Sequence, residues 1–142
     1  MICAFFGHRN TGEDIAPRLR EVIINLIENN GVDIFYVGNQ GRFDGIIRRL
    51  LKEIQTEYSH IEYRIILAYM PVKKDEWYDY SNTVYPEELA SVLRKFAIDR
   101  RNNWMIKRAD FVVVCVSHNT GGAAKFKKIA ERKNKKVINI IE

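Results

Sequence analysis

The chain has 142 residues, of which 46 % are apolar, and this fits one folded domain over residues 1–142 with its own core. It contains no run of about 18 consecutive apolar residues, so the sequence indicates no membrane-spanning helix. The apolar start, residues 1–7, has no basic flank before it and is predicted to be a strand and not a signal peptide. Cys3 and Cys115 lie in separate apolar runs. We expect buried free thiols, which favours a cytoplasmic location.

Strands and helices are predicted to alternate through the first half of the chain. The first strand ends at residues 4–7. The helix that follows has Asp14 as its predicted N-cap and Pro17 in its first turn, and it ends at Gly31. Its apolar residues recur at helical spacing: Ile15, Leu19, Val22, Ile23, Leu26 and Ile27.

A second strand at residues 34–37 is followed by a glycine-bearing turn, residues 38–45, that opens a second amphipathic helix. A third strand is predicted at residues 63–69. The connection over residues 72–90 interrupts the alternation of strands and helices. A long irregular connection is often functional, but it is equally consistent with an ordered cover over the core.

The second half returns to the alternating pattern. Helical spacing over residues 89–104 predicts two helices with a break near Asp99. Residues 111–116 are apolar on both faces, which is typical of a central parallel strand. A helix over about residues 123–134 and a strand at residues 137–141 complete the pattern.

This order predicts an α/β fold: a single Rossmann-like three-layer domain with a mainly parallel five-stranded sheet in the order 3-2-1-4-5. The first and fourth strands are then neighbours, and the topology switches between them. Ligands of open α/β sheets bind at such a crevice, beyond the carboxyl ends of the strands.

Three glycine-bearing loops are predicted to meet at that crevice. Glycine lets backbone N–H groups approach a ligand, and a helix N-terminus favours an anion. We therefore expect a nucleotide or nucleotide-derived small molecule to bind there, with no metal and no resident cofactor. The candidate ligand-binding residues are Gly7, His8, Arg9, Gly38, Asn39, Gln40, Gly41, Asp44, Ser117, Thr120, Gly121 and Gly122.

Several of the polar residues have a second interpretation. Asp44 would contact a ribose or act as a base, or it would cap the second helix. Arg9 would clamp a phosphate or pair with a nearby carboxylate. His8 and His118 end neighbouring predicted strands and suggest acid–base chemistry or metal binding. Metal binding is disfavoured because the third histidine, His60, follows a predicted helix end. Residues 100–103 are expected either to form a solvated face of their helix or to place one helical turn at the crevice.

The net charge of +5 permits an anionic partner. Most of the excess lies in a basic segment near the C-terminus, whose main interpretation is a solvated helix face. Nucleic-acid binding through these lysines is a less favoured alternative. The basic residues are Lys125, Lys127, Lys128, Arg132, Lys133, Lys135 and Lys136.

Five short segments resemble the stand-alone SLOG proteins. Residues 3–9 resemble their opening strand and residues 38–44 their second glycine turn. Residues 101–106, followed by residues 109–110, resemble the helix before their fourth strand. Residues 120–125 and 137–139 resemble their final helix–strand unit. The resemblance covers nearly the whole chain. It implies a Rossmann-like fold, a nucleotide-derived ligand, a sensing role linked to NAD-derived signals in phage defence, and a homo-oligomer.

The wider superfamily includes DNA-processing protein A and the Lonely Guy phosphoribohydrolases. The latter carry a Pro-Gly-Gly-x-Gly-Thr-x-x-Glu stretch whose glutamate supports glycosidic cleavage. When its paired glycines are aligned on Gly121 and Gly122, Lys127 and Lys128 fall where the glutamate should be. A lysine cannot replace a carboxylate beside an oxocarbenium-like transition state. The sequence therefore favours a binding module, with a nucleotide-processing hydrolase using Asp44, His8 or Arg9 as the alternative.

Overall fold

A computed structural model of the chain describes residues 1–8, 11–70, 80–117 and 119–141. In these four stretches, no helix combines the length and the apolar character needed to cross a membrane. The strands are β1 (Ile2–Gly7), β2 (Ile34–Val37), β3 (Glu62–Ile66), β4 (Thr83–Val84), β5 (Phe111–Cys115) and β6 (Lys136–Asn139). The α-helices are α1 (Ala16–Asn30), α2 (Gly41–Glu57), α3 (Ala97–Arg108) and α4 (Gly122–Arg132).

The strands form one parallel sheet in the order β4-β3-β2-β1-β5-β6. The prediction of a Rossmann-like α/β fold is confirmed, and the five predicted strands lie in the predicted order. The predicted number of strands was wrong, because β4 extends the sheet beyond β3. There the N–H of Leu67 donates to the carbonyl of Val84 at 2.8 Å. A two-residue strand is too short to show an alternating pattern in the sequence.

Helices cover both faces of the sheet, so the fold has three layers. Alternate residues of a strand point to opposite faces. Cys3 and Phe5 of β1 therefore pack in the core under α1 and α2, whereas Ala4 and Phe6 pack in a second core under α3 and α4. Cys3 and Cys115 are buried free thiols, as predicted.

The predicted end of α1 is confirmed, and its predicted start is wrong. Gly31 ends the helix in the left-handed region, with φ of 69°. At the start, residues Glu13–Ile15 form a 3-10 turn that leads directly into Ala16, so Asp14 is not the N-cap. Pro17 lies in the first turn, where its missing N–H costs no helical hydrogen bond.

The starts of the other three helices also differ from the predictions. Helix α2 begins at Gly41, so Asp44 lies inside its first turn and not in a turn before it. Extended backbone at Val92 and Leu93 interrupts the stretch before α3. Two 3-10 turns therefore replace the first predicted helix there, and α3 begins at Ala97. Helix α4 begins at Gly122, one residue earlier than predicted.

Candidate functional site

A cavity of about 240 Å³ lies at the carboxyl edge of the sheet. Its lining includes the end of β1, the loop after β2, and the beginning of α4. Each of the three predicted glycine-bearing loops therefore contributes to one concave surface. The predicted site residues in the lining are Gly7, His8, Gly38, Gln40, Asp44 and Gly122.

One apolar wall of the cavity is built from the core under α3 and α4. The rings of Phe6 and Phe126 stack with their centroids 5.7 Å apart, and both line the cavity together with Ala123. Ile98 of α3 adds a half-buried side chain to the lining. A flat apolar group, such as a nucleobase, fits a wall of this composition.

Gly38 lies where two buried charged side chains approach the backbone. A Cβ at this position would lie 2.6 Å from Oδ2 of Asp44 and 2.8 Å from Nη1 of Arg101. These separations are well below van der Waals contact, so a side chain at this position would have to displace one of the two buried groups. Asp44 and Arg101 are 8 % and 3 % exposed, and both line the cavity.

Asp44 also caps α2. Its Oδ2 accepts a hydrogen bond from the backbone N–H of Gln40 at 3.0 Å, and Gln40 is the N-cap residue. The carboxylate therefore reaches back from the first turn to satisfy an N–H that the helix leaves unpaired. The capping interpretation of Asp44 is partly correct, because this residue acts from inside the helix while it lines the cavity.

Arg101 connects α3 to the sheet at the base of the cavity. Its Nη1 donates to the carbonyl of Ile66 at 3.1 Å, and its Nε donates to Oδ1 of Asn102 at 2.8 Å. Burial lowers the pKa of the guanidinium, and the nearby charge of Asp44 opposes that shift. An arginine stays protonated in proteins, so the cavity holds a fixed positive charge beside a carboxylate.

The α4 end of the cavity favours an anion. Gly121 precedes the helix with φ of 95°, a left-handed conformation that favours glycine. Gly122 is exposed, and a Cβ there would meet no atom within 4 Å. The first N–H groups of α4 and the helix dipole thus lie at an open mouth of the cavity.

Gly7 has a packing role in addition to its place in the lining. A Cβ on Gly7 would overlap the ring of Phe43, a buried residue of α2. The absent side chain therefore allows α2 to pack on the end of β1. Packing against Phe43 is therefore sufficient to explain the glycine at position 7.

The other predicted site residues do not line the cavity. Asn39 is half-buried beside it and accepts a hydrogen bond from the Gln40 side chain at 3.3 Å. Gly41 begins α2, and Ser117 is exposed beyond β5. Thr120 and Gly121 line a separate groove along α4. Two further residues, Arg9 and His118, lie outside the described residues.

Helix α3 supplies the polar lining residues that are missing from the predicted set. Of the polar run 100–103, whose two interpretations the sequence left open, Arg101 and Asn102 reach the cavity. Arg101 falls on the buried face of α3 with Met105 and Ile106. A charged residue in phase with the apolar face of a helix is the signal that identifies this position.

The described lining provides few groups for catalysis. Asp44 is the only carboxylate among the described residues that line the cavity. Lys127 and Lys128 lie on α4 outside the lining. In the part of the chain that the structure describes, no three His, Cys, Asp or Glu side chains group closely enough to hold a metal ion.

Comparison of the chain with protein-family models and with curated proteins found no match.

Proposed function

We propose that the cavity binds a nucleotide-derived small molecule and that the protein acts as a sensor or sequestering protein. The main support for this proposal is that three glycine-bearing segments line one cavity: the end of β1, the loop after β2 and the start of α4. Binding at the carboxyl edge of a parallel sheet is the general rule for this architecture. The resemblance to stand-alone SLOG proteins supports the same ligand class, and membership of that family is part of the proposal.

The chemistry of the lining supports such a ligand. The base would lie against Phe6 and Phe126, and the ribose hydroxyls would bond to Gln40, Asp44 or Asn102. The volume of about 240 Å³ is below the roughly 300–1,000 Å³ of whole small-molecule sites. We therefore expect the phosphates to extend beyond the cavity to the N-terminus of α4.

The proposal is tested by calorimetric titration and thermal unfolding with nucleoside phosphates, NAD, ADP-ribose and cyclic nucleotides. A ligand at about 100 times its Kd stabilises the folded protein by about 2.7 kcal/mol, which is a readily measured shift. Gly122→Leu introduces a side chain at the open mouth, so the protein should fold normally and bind at least about tenfold more weakly. An unshifted melting curve with every compound would contradict the proposal.

Gly45→Leu is the matched control. Gly45 also lies in the first turns of a helix, and a Cβ there is in ordinary contact, 3.8 Å from Arg48. It does not line the cavity. We expect ligand affinity to be unchanged in this variant. Equal weakening by both substitutions would show that the effect does not come from the cavity.

A separate assay distinguishes binding from catalysis. Nucleoside monophosphates and NAD are incubated with the protein and analysed by chromatography. A single described carboxylate in the lining does not provide the pair that glycosidic cleavage normally uses. We expect no release of base or phosphate. If base or phosphate is released, and this release disappears in Asp44→Asn, the protein is a hydrolase and the binding proposal is wrong.

A further inference from the structure

The positive charge of this protein is concentrated in one part of the chain. Residues 123–141 contain seven lysines and arginines and a single acidic residue, Glu131, whereas the whole chain has a net charge of +5. This segment therefore carries the entire positive excess. It comprises nearly all of α4, the turn after it, and the edge strand β6.

Two basic grooves flank α4. The first, of about 450 Å³, lies between residues 119–121 and the outer face of the helix, and its cations are Lys125, Lys128 and Arg132. These three residues recur at i, i+3 and i+7, so they share one face. The second groove, of about 460 Å³, runs between α4 and β6 and contains Lys127 and Lys135.

Much of this charge is available to a partner. Lys128, Arg132 and Lys133 are exposed, and none of them takes part in an ion pair with any described residue. By contrast, Lys125 pairs with Asp99 at 2.7 Å, and Lys127 pairs with Glu131 at 3.4 Å. Like-charged neighbours on one helix face are destabilising, so an external anion would relieve their repulsion.

We propose that the two grooves along α4 bind the phosphodiester backbone of a single-stranded nucleic acid. Lysines and arginines that neutralise phosphates provide most of the affinity in sequence-independent binding. The two grooves lie on different sides of α4, so a backbone that contacts both must bend around one helix. A single strand does this readily, whereas a duplex has a persistence length of about 150 base pairs. The site is distinct from the cavity, and the inference does not depend on the function proposed for the cavity.

Two other partners fit this surface less well. A helix that binds a membrane surface places large apolar side chains between its cations, but the apolar residues Phe126 and Ala130 of α4 face the core and are buried. A protein partner would bury an apolar centre surrounded by a polar rim. On the outer face of α4 the only large apolar side chain is the half-buried Ile129.

The first measurement is the anisotropy of a labelled oligothymidylate titrated with the full chain at several salt concentrations. Contacts with about four phosphates of a single strand predict a slope near −3 for log K against log salt. Affinity should then fall about 50-fold between about 50 and 200 mM salt. Absence of binding at the lowest salt concentration would overturn the proposal.

A gain of affinity is the more specific test. Glu131 lies in the second groove, where its carboxylate repels a phosphate and holds Lys127. Glu131→Gln should therefore bind oligothymidylate about two- to fivefold more tightly. An unfolded or damaged protein would not produce this result.

Glu57→Gln is the matched control for this variant. Glu57 ends α2 on the opposite side of the sheet and pairs with Arg20 at the same distance, 3.4 Å. The substitution makes the same change in net charge and also breaks one ion pair, but it lies away from both grooves, so we expect no change in affinity. Equal tightening by both variants would attribute the effect to net charge and overturn the proposal.

Loss of affinity is tested with Lys128→Ala combined with Arg132→Ala. Removing two phosphate contacts should make the slope of log K against log salt less negative by about 1.4. Arg18→Ala combined with Lys52→Ala changes the net charge equally on α1 and α2 and should leave the slope unchanged. Equal affinity for duplex DNA, or a preference for vesicles of acidic lipid, would overturn the assignment to a single strand.

Discussion

Gly38 illustrates how a single missing side chain organises the candidate site. The carboxylate of Asp44 and the guanidinium of Arg101 approach its Cα from two elements, α2 and α3. Each charged group also makes a hydrogen bond to backbone, with Gln40 or Ile66. These hydrogen bonds and the Coulombic attraction of Asp44 for Arg101 offset part of the cost of burying the two charges.

We expect Gly38→Ala to lower the free energy of unfolding by about 1–3 kcal/mol, the usual cost of overpacking a well-packed region. The added Cβ would displace Asp44 or Arg101 from its backbone partner. Gly45→Ala is the control, because it lies inside α2 with room for a methyl group and should stabilise by about 0.5–1 kcal/mol. Urea unfolding measures both changes. Equal effects would contradict the packing explanation.

At the scale of elements, an exposed ion pair joins the 3-10 turn before α1 to α2. Arg49 donates to both carboxylate oxygens of Glu13, at 3.0 and 2.7 Å. The hydrogen bonds and charge of Arg49 lower the pKa of Glu13, and Glu13 in turn raises the pKa of Arg49. The pair holds the start of α1 beside α2, although both side chains are solvent-exposed.

This pair predicts a pH dependence with a definite sign. Because the folded pKa of Glu13 is below the unfolded value of about 4.3, its contribution is complete above that value and is lost as the pH falls through the folded pKa. The difference in stability between the wild type and Glu13→Gln should therefore be present at pH 7 and vanish in strong acid. Urea unfolding of Arg49→Met and of the double variant completes a double-mutant cycle, which measures the interaction between Glu13 and Arg49. A difference that persists in acid would contradict the assignment.

At the scale of the whole molecule, the reactivity of the two buried cysteines measures the exposure of the core on unfolding. Cys3 of β1 and Cys115 of β5 pack in the same cluster under α1 and α2. Burial raises the pKa of both thiols. Since the folded pKa is above the unfolded value of about 8.5, this contribution to stability is present below pH 8.5 and declines at higher pH.

We expect both thiols to react with an alkylating reagent at pH 8 at least about a hundredfold more slowly in the folded protein than in the unfolded chain. If residues 1–142 unfold as one cooperative domain, Cys3 and Cys115 should become reactive over the same range of urea concentration. Mass spectrometry of peptides distinguishes the two sites. Reaction of one thiol well before the other would show that the chain does not unfold as one unit.

Local patterns in the sequence were sufficient for much of the fold. Helical periodicity identified the apolar faces of α1 and α2, and the uninterrupted apolar run at residues 111–116 identified β5 as an interior strand. Strand order then followed from general rules on parallel connections. The same order predicted that segments following β1, β2 and β5 would approach one another, and Gly7, Gly38 and Gly122 do line one cavity.

Other features depend on contacts between elements that are distant in the chain. Arg101 reaches the cavity because α3 packs where its guanidinium can bond to Ile66, 35 residues earlier in the chain. The two residues of β4 become a strand because β3 offers an unpaired edge. Thr120 and Gly121 lie on the α4 groove, whereas Gly122 lines the cavity. A sequence pattern records which residues prefer burial, but only tertiary packing decides which buried groups meet.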